Sequence, residues 1–281
     1  NADPLYLGID ADGTSNDWVG QLDMPRIFNY ARSAAQVAYD YNRGGPVGWW
    51  KLDDCQGDKA YDSSGNSNTG TITIGASGTQ TALGTCTGSA NTAWKDGVTG
   101  KRNSSLDFDG TDDYVSVPNA ANLNPTSAIT LSAWVKSTST SNKGIIYKGA
   151  FNSAQGIYSL HTDGGVNNNL PTFRLNLSAG AVVATKTVND GNWHLITGTY
   201  DKVNMKIYID GVLNSSAAYS TDISTDTNSL IIGAYYLNNA GLNWPGQIDD
   251  VRIYNYSLTS TQVKLLYNDG AIKFGPVTGS P

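Results

Sequence analysis

All 24 acidic residues of this chain are aspartate, and several stand close together: Asp53/Asp54, Asp107/Asp109, Asp112/Asp113 and Asp249/Asp250. Carboxylates grouped in this way, with backbone carbonyls beside them, suit a hard divalent cation, which takes several oxygen ligands. A second reading stays open: residues 109–113 (Asp-Gly-Thr-Asp-Asp) form a solvated turn, and Asp249 pairs with Arg252 or caps a loop. Acid–base catalysis has less to draw on. Two aspartates can act as acid and base, but no pair stands in a recognisable context. Of the two histidines, His161 and His194, the second lies within the strand following Trp193 and reads as structural. No nucleophile elbow, phosphate loop or dinucleotide fingerprint occurs, so the chain is expected not to be an enzyme.

Two cysteines, Cys55 and Cys86, lie in a Gly/Ser/Thr-rich stretch without neighbouring histidine, a poor context for zinc or a Cys–His pair. A disulfide between them, closing a loop of about 31 residues, would stabilise the fold by roughly 3–4 kcal/mol. Such a bridge implies an oxidising setting, secreted or at the cell surface; free thiols are the other reading. Among aromatic residues in or beside loops, Trp94, Tyr235 and Tyr236 are candidates for stacking on sugar rings, because they present a rigid apolar face next to polar groups. They serve equally well as lids over the edge of a core.

The elements that must position these residues are strands. Short apolar or alternating runs occur at Val47–Leu52, Ser105–Phe108, Tyr114–Val117, Ile129–Val135, Gly144–Lys148, Ile157–His161, Thr172–Leu177, Val182–Val188, Trp193–Tyr200, Met205–Ile209, Leu230–Ile232 and Gln247–Tyr254. Gly/Asn/Asp/Ser clusters separate them, which predicts an all-β sandwich. Asp210-Gly211 between Ile209 and Val212 is a two-residue hairpin signal. Only Thr259–Tyr267 reads as a helix, with Thr259 as N-cap and Gly270 as a stop. Net charge is −6 without a Lys/Arg run, which argues against a nucleic-acid partner. No apolar stretch approaches the length of about 18 residues that a membrane span needs. The chain starts with Asn and carries no signal peptide, so it reads as a processed or excised piece.

The two ends of the chain repeat one another. Trp18-Val-Gly-Gln-Leu-Asp23-Met-Pro-Arg26-Ile-Phe-Asn29-Tyr30 matches Trp244-Pro-Gly-Gln-Ile-Asp249-Asp-Val-Arg252-Ile-Tyr-Asn255-Tyr256. The match extends to Tyr41-Asn42 and Tyr267-Asn268, so the unit is a duplicated structural element. Asp23 keeps the position of Asp249, whereas Met24 stands where Asp250 does.

Further motifs follow in one order: Trp49-Trp-Lys-Leu-Asp-Asp54, Tyr61-Asp-Ser-Ser-Gly-Asn-Ser-Asn-Thr-Gly70, Leu106-Asp-Phe-Asp-Gly-Thr-Asp-Asp-Tyr-Val115, Leu131-Ser-Ala-Trp-Val135, Asn192-Trp-His-Leu195, Tyr208-Ile-Asp-Gly211 and Ile248–Asn255. Together they resemble a laminin-G-like domain of the concanavalin A-like lectin/glucanase superfamily. The resemblance covers residues 45–270 and implies an all-β jelly-roll sandwich of two antiparallel sheets with one short C-terminal helix. It implies residues 1–43 as a partial copy of the closing strands and helix; residues 271–281, by their Gly/Pro/Ser composition, read as a linker or an entry strand. It also implies calcium where the first strand, a loop and the last strand meet, with Asp249 as the best-matched ligand and Asp53 and Asp109 as weaker ones. Hydrolases on this fold carry a Glu-x-Asp-x-Glu strand, which this chain lacks. The function expected is a non-catalytic extracellular adhesion or assembly module of a cell-surface or filamentous protein, stabilised by calcium. Its partner would be another protein or a neighbouring copy of itself, reached through residues 1–43. The alternative is a carbohydrate-binding, lectin-like module whose loop aromatics take glycans.

Overall fold

The structure is a computed structural model, and it describes residues 5–8, 18–22, 25–32, 37, 44–87, 89–150, 156–163, 169–176, 180–235 and 242–268. The chain divides into two compact units, Asn1–Ser33 and Ala34–Pro281.

In the second unit the strands follow in chain order. The first six are β1 (Gly48–Trp50), β2 (Lys59–Ala60), β3 (Gly70–Thr73), β4 (Trp94–Lys95), β5 (Ser105–Asp109) and β6 (Tyr114–Val117). Then come β7 (Ile129–Lys136), β8 (Lys143–Gly149), β9 (Gly156–Asp163), β10 (Leu170–Leu175) and β11 (Gly180–Val183). The last are β12 (His194–Tyr200), β13 (Asn204–Ile209), β14 (Val212–Ala218), β15 (Leu230–Ile232) and β16 (Pro245–Tyr254). They form two antiparallel sheets. One runs β14-β13-β12-β7-β16-β5-β4, with β1 also paired to β16; the other runs β11-β10-β9-β8-β15-β6-β3-β2. This is the all-β sandwich that the strand pattern predicts and the two-sheet jelly roll that the resemblance implies.

Alternation along the strands fills the space between the sheets. Trp50, Phe108, Leu131, Phe173, Ile196 and Ile253 are buried in one core. Gly198 allows the sheets to approach there, since a Cβ on it would lie 2.4 Å from the Phe173 ring. The β13–β14 hairpin turns on Asp210 and Gly211, at φ of 53° and 78°, as an Asp-Gly turn requires. The helix α1 (Ser260–Tyr267) starts with a capping box: the Thr259 side chain accepts from the Gln262 amide, and the Gln262 side chain accepts from the Thr259 amide. Its buried Val263 and Leu266 pack with Trp134, Leu195, Tyr208 and Tyr254 in a second apolar cluster.

Two expectations shift. The run Val182–Val188 is a strand only over Gly180–Val183. Beyond the last bond, from the Ala184 amide to the Pro171 carbonyl, Thr185 turns to the Asn214 side chain instead. Strands β2, β3 and β4 lie outside the sequence pattern: β2 and β4 are two residues long, too short to alternate, and β3 starts on Gly70 at the end of a Gly/Ser/Asn-rich stretch.

Among the described residues of the first unit, the repeated segment forms no strand or helix. A strand needs a partner, and Pro25, which stands where the complete copy has Val251, has no amide to give to a ladder. Arg32 instead lies 4.3 Å over the Phe28 ring and donates to the Tyr30 hydroxyl at 3.0 Å.

Candidate functional site

Strand β16 carries the site. Its ladder with β7 slips by one residue between Asp249 and Arg252, and Asp250 has a φ of 50°. This β-bulge explains how Ile248 and Val251, three apart, both enter the core. Asp249 and Asp250 are the two residues left between them.

Asp249 is wholly buried. Its Oδ2 accepts the backbone amides of Lys101 at 3.0 Å and Arg102 at 2.7 Å, while its Oδ1 has no hydrogen-bond partner. Burial pushes the Asp249 carboxyl up to about 8; the neighbouring Asp250 and Asp53 add to this, and the two amides oppose it. Asp53 holds the far end of the same segment, accepting from the Ser104 amide and the Asn103 side chain, both at 3.2 Å. The structure therefore brings Asp53 and Asp249 to one short loop, 101–104.

Asp250 faces outward into a network. It accepts Trp49 Nε1 at 2.6 Å and the Arg252 guanidinium at 3.0 and 2.8 Å, and Arg102 Nε stands 3.2 Å from its Oδ2. Trp49 pairs with Arg252 across the β1–β16 ladder. The Arg252 guanidinium lies 4.4 Å and Lys51 Nζ 4.5 Å from the Trp49 ring centre. Lys101 Nζ stands 4.1 Å over Trp134. Together these residues enclose a cleft of about 370 Å³, lined by Trp49, the four cations, Asp53, Asn103 and Asp250.

Asp109 lies elsewhere, which corrects its grouping with Asp53 and Asp249. It pairs with Pro245 at the start of β16, four residues or about 13 Å along the strand from Asp249. There its carboxylate and those of Asp112 and Asp113 lie within 4.8 Å of one another, a group that could hold a metal ion. These oxygens already clasp loop 75–80: Gly75 donates to Asp113, Ser77 to Asp112, and Thr79 and Gln80 to Asp109. Asp113 is buried, and burial raises its carboxyl to about 6.

Cys55 and Cys86 form a disulfide. Trp94 is corrected as a sugar platform. Its ring is fully buried in the core, and Nε1 donates to the Gly57 carbonyl at 3.0 Å. Tyr235 is also covered, only 5% exposed and packed on Tyr147 and His161 at ring distances of 5.2 and 4.5 Å. Tyr236 lies outside the described residues. Both histidines are structural in setting. Burial holds His161 neutral, down to about 3. His194 bonds Asp210 at 2.8 Å and Asp190 at 3.0 Å, and the Asp210 bond raises it. Sequence reasoning missed Lys51, Lys101, Arg102 and Arg252 as a group. Alternation along the run Val47–Leu52 places Trp49 and Lys51 on one face, but the 101–104 loop joins them only through the fold.

Comparison with curated protein sequences finds no match. Among solved structures, domain 4 of the extracellular arabinanase AbnA from Geobacillus stearothermophilus, in complex with arabinotriose, is similar at 22% identity and a TM-score of 0.57, over 79% of this chain and 98% of that one. The binding domain of Paraclostridial Mosquitocidal Protein 1 is similar at 17% identity and TM-score 0.55, over 82% of this chain and 53% of that one. Trypanosoma rangeli sialidase follows at 15% and 0.56, over 81% and 33%. This chain thus spans about half of the second structure and a third of the third. Likeness at such identities bears on the fold alone. Residues 109–264 match the laminin G model of the concanavalin A-like lectin/glucanases superfamily. That match runs from the end of β5 into α1, over more than half of the chain, and the two-sheet architecture agrees with it: the chain belongs to the concanavalin A-like lectin/glucanases superfamily.

Proposed function

We propose that this chain is a non-catalytic extracellular module that acts by binding glycans and is stabilised by calcium. The observation that carries this reading is how the carboxylates beside the cleft are employed. Asp53 and Asp250 are engaged by loop donors and guanidinium groups, and Asp249 is wholly buried. A general acid must reach its substrate, so the arrangement favours holding a ligand over cleaving one. The arabinanase domain in complex with arabinotriose lends the glycan reading support, and the disulfide suits an oxidising compartment.

Calcium fits Asp249 and Asp53. The donor set is hard oxygen, and the unpartnered Asp249 Oδ1 is a buried acceptor awaiting a charge. A bound cation would let Asp249 ionise and would tie β16, loop 101–104 and the chain after β1 together. The test is a glycan array with the full chain, in calcium and in EGTA. Specific sugar binding that weakens with EGTA supports the reading; no glycan bound in either condition overturns it.

An assembly role through residues 1–43 is the second reading. Leu5, Trp18 and Ile27 are 68%, 61% and 73% exposed, and apolar surface of this kind invites a partner. Light scattering on the full chain tests it: a monomer at all concentrations counts against assembly.

A further inference from the structure

The cleft on β1 and β16 inverts the charge of the molecule. The chain as a whole carries −6, yet four cations face two carboxylates here. Those carboxylates are already used. Asp250 orients Arg252 through two bonds and pairs with Arg102, and Asp53 holds the loop amide of Ser104. Lys51 and Lys101 have no carboxylate partner among the described residues and lie over indole rings. Their charges therefore remain available, and the low-dielectric walls beside them focus the field into the cleft. Trp49 offers no open platform for an uncharged sugar ring, because Lys51 and Arg252 lie over it. Recognition at this site must therefore work through charge and hydrogen bonds. A volume of about 370 Å³ exceeds what a free inorganic anion fills and lies within the range of small-ligand sites.

We infer that this cleft binds an anionic glycan, an oligosaccharide bearing carboxylate or sulfate groups, with Lys51 and Lys101 meeting the anion and Arg252 and Arg102 pre-oriented by Asp250. The inference rests on the reading of the chain as a glycan-binding module and names the chemistry of its ligand. Planar guanidinium groups suit carboxylate and sulfate, which accept paired N–H donors.

The test is calorimetric titration of the full chain, in calcium, with an oligogalacturonate, a sulfated heparin-type oligosaccharide, neutral xylopentaose and inorganic sulfate. The two acidic oligosaccharides should bind, weaken as NaCl rises from about 50 to about 300 mM, and lose at least about tenfold in affinity in K51Q/K101Q. Single K51Q should show part of that loss, and it serves if the double variant melts early. K59Q, which removes one cation outside the cleft, should leave binding unchanged. Acidic oligosaccharides that bind no tighter than xylopentaose would overturn the inference while leaving the lectin reading intact. Equal affinity in wild type and K51Q/K101Q, or equal losses in K59Q, would also overturn it. Inorganic sulfate binding as tightly as the oligosaccharides would overturn it too, by reducing the site to an anion site. Failure of every sugar, here and on the array, would end both readings.

Discussion

Replacing Asp249 by Asn separates a buried acid from its shape. In the folded chain, burial first, and then Asp250 and Asp53, push this carboxyl from 3.8 up to about 8. The folded state then holds a proton that the unfolded state releases, so stability falls as pH rises from about 4 to about 8 and levels beyond. At about 1.4 kcal/mol per pH unit, the interval from pH 5.5 to 8 has an upper bound of roughly 3 kcal/mol. Half of that, about 1.5 kcal/mol, lowers Tm by about 3–6 °C in a domain of this size. The amide of D249N keeps an oxygen for the Lys101 and Arg102 amides and has no proton to lose. Other acids raised by burial, such as Asp113 and Asp107, act alike in both proteins, so the difference isolates residue 249. The assay is Tm by differential scanning fluorimetry from pH 5.5 to 8.5, in EGTA and in calcium. In EGTA the wild type should lose several degrees that D249N keeps. In calcium at pH 8 the wild type should recover, since a ligand at 100 times its Kd contributes about 2.7 kcal/mol, and D249N should respond little. Parallel pH profiles, or an equal calcium response in both proteins, would refute the reasoning.

Reducing the Cys55–Cys86 bridge, whose cysteines are 31 residues apart, should destabilise the fold by about 3–4 kcal/mol on chain entropy, read as a lower Tm in a thiol reductant. Trp94→Ala should cost about 3–5 kcal/mol by leaving a core cavity and leave the affinity of any bound glycan unchanged; selective loss of affinity would restore Trp94 as a ligand residue. His194, held first by Asp210, should titrate above 6.5 by NMR and move back toward 6.5 in D210N. Its stabilising bond is complete below pH 6.5 and is lost as pH rises through the folded pKa, so wild type and D210N should converge in stability at high pH.

Much of the fold was legible because its signals are local. Asp210-Gly211 tolerates positive φ whatever surrounds it, Thr259 and Gln262 cap a helix through their own side chains, and alternation marks one face of each longer strand. Short strands such as β4 were not legible, because a two-residue pairing is made by its neighbour and leaves no period. Trp94 shows the same limit at the level of a site: beside a loop in sequence, it is core in space.

The amino-acid sequence by itself determined the all-β class, the hairpin and the helix, all through contacts a few residues long. Only the tertiary structure decided that Asp53 and Asp249 meet across loop 101–104 while Asp109 belongs to another group, because a single-residue bulge and the sheet register set those distances. The cationic cleft was likewise decided in three dimensions. Lys51, Lys101 and Arg252 are separated by long stretches of chain, and their charges add only when β1, the loop and β16 lie side by side.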